Sequence, residues 1–217
     1  MSSSVLDSGS AINALAEGAL LRPNAKLDEA VANSQANGLP PITVSPLQGQ
    51  YLAIQCQLIG AKSVLEIGTL GGYSTIWFAQ AGAKVTSLEI NPKYRDIAAA
   101  NTAGLDVEII LGAALDVLPR LAAEGRQFDL VFIDASWDEQ WEYFEWAVKL
   151  TRSKGAIYVD NVVRALLGSG ATDPGTESLV TKVGRDTRVT ATLVSTVSGH
   201  KANPEDNFDG FLLAVVN

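Results

Sequence analysis

Apolar positions along the chain recur at two spacings, and the change from one to the other divides it. Before residue 60 they fall three and four apart. Ile12, Leu15, Ala16, Ala19 and Leu20 form one such set, which Pro23 ends. Leu27, Ala30 and Val31 form a second, with Asn24 ahead of it as a cap and Gly38-Leu39-Pro40-Pro41 behind it. Leu47, Tyr51, Ile54 and Leu58 form a third, opened by Val44-Ser45-Pro46. Such spacing gathers side chains on one helical face, and proline is tolerated in a helix's first turn. Three helices are therefore predicted at the start.

From Lys62 short apolar runs alternate with helical stretches. The runs at 63–67, 84–90, 106–111, 128–133 and 156–159 read as strands, and 73–80, 92–102, 113–122 and 137–150 read as helices. Strands separated by helices and short connections predict an α/β fold, a parallel sheet covered on both faces. The rhythm then changes. A helix at 177–186 is followed by strands at 189–197 and 208–216, with only a polar loop between them. Two strands joined without a helix predict an antiparallel pair at the sheet edge. The serine-rich residues 1–9 are expected to fray. Residues 10–217 are expected to form one domain, with N-terminal helices over 10–60 and a binding core over 61–217.

Charge narrows the classes of function. Asp and Glu number 24 against 16 Lys and Arg, a net charge of −8. That balance disfavours a general nucleic-acid binder, which displaces counterions with a basic face. The single cysteine, Cys56, permits no intrachain disulfide and no cysteine-built zinc site, and reads as a small buried hydrophobe. The single histidine, His200, excludes a histidine-rich metal cluster. No apolar run reaches the roughly 18 residues of a membrane span. The start, Met1-Ser2-Ser3-Ser4-Val5-Leu6-Asp7, lacks a basic and apolar leader, so a cytoplasmic location is expected.

In a doubly wound sheet, ligands sit beyond the carboxyl ends of the strands. Those ends here are Glu66-Ile67-Gly68, Glu89, Gly112, Asp134 and Asp160-Asn161. Buried carboxylates without partners are costly, so a row of them points to ligands or cations. The first loop, Gly68-Thr69-Leu70-Gly71-Gly72-Tyr73-Ser74, lacks the Gly-x-Gly-x-x-Gly dinucleotide fingerprint, because Leu70 and Tyr73 stand at two of its glycines. A ligand with amino-acid and ribose parts fits it as well as a pyrophosphate does. Glu89 follows Gly68 by about 20 residues, the usual place for an acid that bonds ribose hydroxyls. The bland alternative is a tight strand–helix turn and no more. Asp134, Asp160 and Asn161 are hard oxygen donors suited to Mg²⁺, Mn²⁺ or Ca²⁺. Their bland alternative is helix or loop capping.

Together these segments resemble a family. Val44-Ser45-Pro46-Leu47-Gln48-Gly49, Leu65-Glu66-Ile67-Gly68-Thr69-Leu70-Gly71-Gly72-Tyr73-Ser74-Thr75, Phe128-Asp129-Leu130-Val131-Phe132-Ile133-Asp134-Ala135, Asp160-Asn161-Val162-Val163 and Phe208-Asp209-Gly210-Phe211 resemble the cation-dependent O-methyltransferases of the catechol and caffeoyl-coenzyme A type. The resemblance implies a Rossmann-like methyltransferase fold with strand order 3-2-1-4-5-7-6, a seven-stranded, mostly parallel sheet that includes one antiparallel edge strand, with helices on both faces. It implies S-adenosylmethionine as cofactor, a divalent cation, a small-molecule acceptor and a homodimer. Val44, Glu66, Gly68, Thr69 and Ser74 would hold the methionine part, Glu89 the ribose, and Gly112-Ala113 the adenine. Asp134 would lie near the methyl donor and, with Asp160 and Asn161, would bind the cation.

One position departs from that pattern. Family members carry a lysine base three residues after the first metal aspartate, and this chain has Trp137 there. Either the cation alone activates a phenolic hydroxyl, or the acceptor is a carboxylate that needs no base. His200 and Lys201, in the polar loop before the last strand, are candidates for the site rim, with solvated loop positions as the alternative. Trp137 is the expected aromatic wall for a flat substrate, and Phe144 and Trp146 are expected to pack on the sheet. Arg164 and Asp173 fall in a stretch, 162–176, that reads as a loop. A nicotinamide dehydrogenase is disfavoured by the failed fingerprint. A nucleic-acid methyltransferase is disfavoured by charge and by the absence of an Asn-Pro-Pro-Tyr type motif. A non-catalytic cofactor-binding relative is the remaining rival.

Overall fold

The computed structural model describes residues 3–173, 175–198 and 207–217. Three helices lead. These are α1 (Ser3–Leu20), α2 (Ala25–Ala36) and α3 (Pro46–Leu58). The Asn24 side chain caps α2 by accepting from the Leu27 N–H at 3.3 Å, and Ser45 caps α3 by accepting from the Gln48 N–H at 3.2 Å. Helix α1 starts at Ser3, ahead of residue 10, where the sequence reading began the ordered chain.

The alternating part follows as β1 (Ser63–Ile67), α4 (Tyr73–Gln80), β2 (Lys84–Glu89), α5 (Pro92–Asn101), β3 (Val107–Leu111), α6 (Ala114–Ala123) and β4 (Phe128–Ile133). A 3-10 turn (Trp137–Glu139) leads into α7 (Gln140–Leu150), then β5 (Thr151–Val159), α8 (Val162–Ser169), α9 (Leu179–Val183), β6 (Val189–Val197) and β7 (Phe208–Val216). No described helix is long and apolar enough to cross a membrane.

The strands form one sheet in the order β3-β2-β1-β4-β5-β7-β6. Neighbours from β3 to β5 pair in parallel, while β7 is antiparallel to both β5 and β6. The reversed strand thus lies one place in, and β6 closes that edge. Strand alternation separates two cores. Leu65, Ile67, Val131, Ile133, Ile157 and Val159 face α6 and α7. Val64, Leu130, Phe132 and Tyr158 face α2, α3 and α4. On that second face the rings of Phe78, Phe132, Tyr158 and Phe211 follow one another at 5.6, 5.3 and 4.2 Å between centroids.

Three stretches differ from the periodicity reading. Strand β5 begins at Thr151, five residues before the apolar run. Its polar start bends through Lys154, whose φ is 62°, and its pairing with β4 shifts register between Phe128 and Leu130. Residues 162–169 form α8 instead of a loop, because a single buried turn at Val162-Val163 is too short to show a helical period. Helix α9 covers only five residues of the expected 177–186.

At the opposite end from the strand tips, Asp129 ties three elements together. Its Oδ2 accepts from the Lys62 and Ser63 N–H groups at 2.8 and 2.9 Å, and its Oδ1 accepts from Arg152 Nε at 2.6 Å. Burial acts to raise its pKa, but Arg152 and the two backbone donors outweigh it and hold the carboxyl at about 2. Asp129→Ala should lower stability to urea by about 2 kcal/mol, since a bridging charged acceptor is lost. Its folded pKa lies below the free value of 3.8, so the contribution is present above 3.8 and fades as the pH falls through about 2. Urea titrations of both proteins at neutral pH and near pH 2 measure the difference, which should shrink in acid.

Candidate active site

The sheet order reverses between β1 and β4, and their tips meet there. Gly68 has a φ of 94°, and a Cβ on it would lie 2.1 Å from the Asp134 carbonyl oxygen. Backbone bonds stitch the tips: the Asp134 N–H donates to Ile67 O at 2.9 Å, and the Gly68 N–H to Leu88 O at 3.0 Å. Only glycine meets both demands, a left-handed backbone and a neighbour in contact.

The loop after Gly68 is held by Glu89. The Thr69 and Leu70 N–H groups donate to its Oε2 at 3.3 and 2.9 Å, and the Asn91 N–H donates to Oε1 at 2.9 Å. This grip maintains Leu70 at a φ of 51°, a conformation a branched side chain rarely takes. Each Glu89 oxygen keeps lone pairs for further donors such as ribose hydroxyls.

A cavity of about 480 Å³ opens over these tips. Of the expected cofactor residues, Val44, Gly68, Thr69, Ser74 and Glu89 line it from one side. Gly112, Ala113, Asp134 and Trp137 line it from the other. Ile90, Tyr94 and Leu115, which the sequence reading did not single out, line it as well, as does Tyr143 from the aromatic-rich start of α7. The signal for the first three was position alone: each follows a strand tip or faces one from the next helix.

Glu66 behaves differently from its expected role. It shares the face of Val64, so its carboxylate enters the sheet–α4 core with no exposure and does not line the cavity. Ser74 Oγ donates to one oxygen at 2.6 Å, and Thr75 Oγ1 and Ser87 Oγ donate to the other at 2.5 Å each. Burial raises its pKa to about 7 despite those three hydroxyls. Glu66 is a brace behind the wall, and Ser74 is the group it presents to the cavity.

A second cavity, about 350 Å³, lies toward β7 and β6 and is lined by Gln48, Tyr51, Asp160, Asp209 and Phe211 among others. Asn161 lines both cavities. So the three expected cation ligands straddle a junction: Asp134 faces the larger space, Asp160 the smaller, and Asn161 both. Asn161 sits at a φ of 59° and donates from Nδ2 to Asp209 Oδ2 at 2.9 Å, which leaves its carbonyl oxygen as the end available to a cation. Asp160 is buried and accepts from Gln48 Nε2 at 2.8 Å. Burial, with Asp134 and Asp209 nearby, pushes the Asp160 pKa well above its usual value. Like charges crowded out of water are what a bound cation relieves. Among the described residues no three of His, Cys, Asp and Glu converge as a ligand group. Two carboxylates and an amide would make a hard donor set with room for other oxygens.

Trp137 is 41% exposed at the cavity rim, with the Arg164 guanidinium 5.2 Å from its ring centre. Arg164 also lies 3.8 Å from Asp209 and donates its backbone N–H to it at 3.2 Å. Asp173 is exposed and lines neither cavity. Phe144 is fully buried in the α7 core and Trp146 packs against it. Cys56 is buried, its thiol pushed up to about 12 by burial. His200 and Lys201 lie outside the described residues.

The Glu66 brace gives a measurable pH dependence. Its folded pKa, about 7, exceeds the free value of 4.5, so deprotonation is easier in the unfolded chain. Its contribution is present below 4.5 and is lost as the pH rises through about 7, a difference of roughly 3 kcal/mol at 1.36 kcal/mol per unit. Relative to wild type, Glu66→Gln should therefore hold its stability as the pH rises from 4.5 to 8. Denaturation midpoints across that range would refute this if the two proteins run parallel.

Comparison with known proteins places the chain in a family. A family model described as O-methyltransferase matches residues 21–199. A catechol O-methyltransferase of Niastella koreensis is 41% identical over 86% of this chain and 88% of its own length. A catechol O-methyltransferase of Mycobacterium tuberculosis is 40% identical over 94% of each. The crystal structure of an O-methyltransferase from Bacillus cereus in complex with SAH superposes with a TM-score of 0.85 at 35% identity, covering 98% of this chain and 100% of that one. Matching in sequence over most of its length and in fold over nearly all of it, the chain belongs to the O-methyltransferase family.

Proposed function

We propose that this enzyme transfers a methyl group from S-adenosylmethionine to one oxygen of a small chelating acceptor, in a divalent-cation-dependent reaction. The observation that carries the reading is the junction itself. A cavity with a ribose-type acid meets a second cavity at Asn161, with Asp134 on one side and Asp160 on the other. The Bacillus cereus relative was crystallised with the demethylated cofactor, which supports the same ligand for the larger cavity here.

In this reading Glu89 accepts the ribose hydroxyls while its backbone partners keep it fixed. Ser74 and the Gly68-Thr69 backbone take the methionine part, and Gly112-Ala113 and the exposed Ile90 border the adenine. Asp134, Asp160 and Asn161 would hold the cation. Bound there, a divalent cation lowers the pKa of a coordinated hydroxyl and fixes its direction. The smaller cavity takes the body of the acceptor against Tyr51 and Phe211, and Trp137 covers its ring from the cofactor side. Attack requires the acceptor oxygen in line with the sulfonium methyl, and holding both partners across one junction supplies much of the rate. As the C–O bond forms, the C–S bond breaks and its electron pair stays on sulfur, giving S-adenosylhomocysteine, while the hydroxyl proton passes to solvent water.

Trp137 at the lysine position favours a second reading, a small carboxylic acid methylated to its ester. A carboxylate is already ionised and needs no base. A homodimer and a cytoplasmic location accompany either reading. Ile12, Leu15 and Leu20 of α1 are 60–72% exposed, an apolar strip suited to pairing.

Labelled cofactor offered with catechols, simple phenols and small carboxylic acids separates these readings. Catechols should be methylated with Mg²⁺, turnover should stop with EDTA, and excess Mg²⁺ should restore it. Ester formation that survives EDTA would establish the second reading instead. Asp134→Ala should lower kcat/KM for catechol on the order of 10²-fold or more while circular dichroism stays unchanged. Full activity in that variant would contradict the assignment.

A further inference from the structure

Gln48 has no part in the reaction as described, yet its side-chain amide bonds two buried groups at the junction. It lies in the first turn of α3, where Ser45 caps its N–H and Pro46 fixes the helix start. The depth of α3 is set one residue later. A Cβ on Gly49 would lie 2.2 Å from Trp77 Nε1, so glycine lets α3 press against α4 as closely as backbone allows. That approach brings Gln48 Nε2 to 2.8 Å from Asp160 Oδ1, across 112 positions of sequence.

The amide nitrogen carries two hydrogens, and both have acceptors. The second is the Tyr158 hydroxyl, at 3.2 Å. Tyr158 is immobile: its ring is fully buried, 5.3 Å from Phe132 and 4.2 Å from Phe211. The donor that orients Asp160 is therefore anchored at both ends. Asp209 does the corresponding work for Asn161. A neutral amide suits this place, because a donor steadies the carboxylate at Oδ1 without a positive charge to compete with a cation.

We propose that Gln48 is the positioning residue that presents Asp160 to the divalent cation, with Tyr158 as its anchor. This rests on the cation-dependent reading above. The sequence placed Gln48 inside a family-like segment, but the contact is long-range and no local pattern announces it.

The test uses the full chain and Mn²⁺ alone as probe. Free Mn²⁺ is followed by its electron paramagnetic resonance signal, and S-adenosylhomocysteine affinity by calorimetry. Gln48→Met keeps length and volume and removes the amide. It should weaken Mn²⁺ binding about tenfold, the usual scale for loss of an orienting partner. Adenosylhomocysteine affinity should stay within about twofold, because Gln48 does not line the larger cavity. Saturating Mg²⁺ should restore kcat, which a general packing defect would not allow. Tyr158→Phe keeps the ring and should weaken Mn²⁺ binding in the same direction by less. Unchanged Mn²⁺ affinity in Gln48→Met overturns the proposal, and if that variant does not fold, unchanged affinity in Tyr158→Phe overturns it. A wild-type protein that binds no Mn²⁺ overturns the cation reading and this inference with it. Binding in wild type with no change in the variants removes Gln48 alone.

Discussion

The contact between the tips of β1 and β4 decides where everything else can stand. At the reversal of strand order the two chains diverge into helices on opposite faces, and a crevice opens between them. Gly68 permits the tips to touch, and the Asp134 carbonyl fills the space its side chain would take. A larger residue there would push the carboxylate of Asp134 away from the cofactor loop. The Glu89 grip on Thr69 and Leu70, the Glu66 brace behind Ser74 and the placement of Asp134 each use this approach as their reference.

A second theme is how the molecule keeps carboxylates out of water. Each has a specific set of donors. Glu66 has three hydroxyls, Glu89 has three backbone N–H groups, Asp129 has an arginine, two backbone N–H groups and the Ser63 hydroxyl, and Asp160 has the Gln48 amide and the Asn161 N–H. The donor type tracks the job. Asp129 faces a full positive charge and is a permanent anion. Glu66 faces only hydroxyls and titrates near neutrality. Asp160 is buried beside two other acids, Asp134 and Asp209, and burial together with those acids holds its pKa well above the usual value.

Much of the fold was legible because its signals are local. The alternation of Val64-Leu65-Glu66-Ile67, the caps at Asn24 and Ser45, and the strand–helix rhythm all lie within a few residues. The short α8 and the polar start of β5 escaped because tertiary pairing, not periodicity, stabilises them. At the strand tips the sequence reading reached residues that line the larger cavity, Glu89 and Asp134 among them. The layer behind them was not legible. Gln48 to Asp160, Asn161 to Asp209 and Arg164 to Trp137 are pairings across the chain, and a single sequence does not record them. Glu66 shows the converse: its acid, two residues before a glycine, drew attention to the right loop, but the parity of the strand turns it inward.

The reversal of β7 has a consequence for how such a protein diversifies. A parallel strand reaches this rim with its last residues, whereas β7 reaches it with its first, Asp209 among them. The smaller cavity thereby joins distant parts of the polypeptide: Asn13 near its start, Gln48, Tyr51, Asp160 and Asn161 between, and Val194, Asp209 and Phe211 near its end. The larger cavity draws mostly on the middle. Substitutions in the last two strands can therefore reshape the smaller cavity without touching the lining of the larger one.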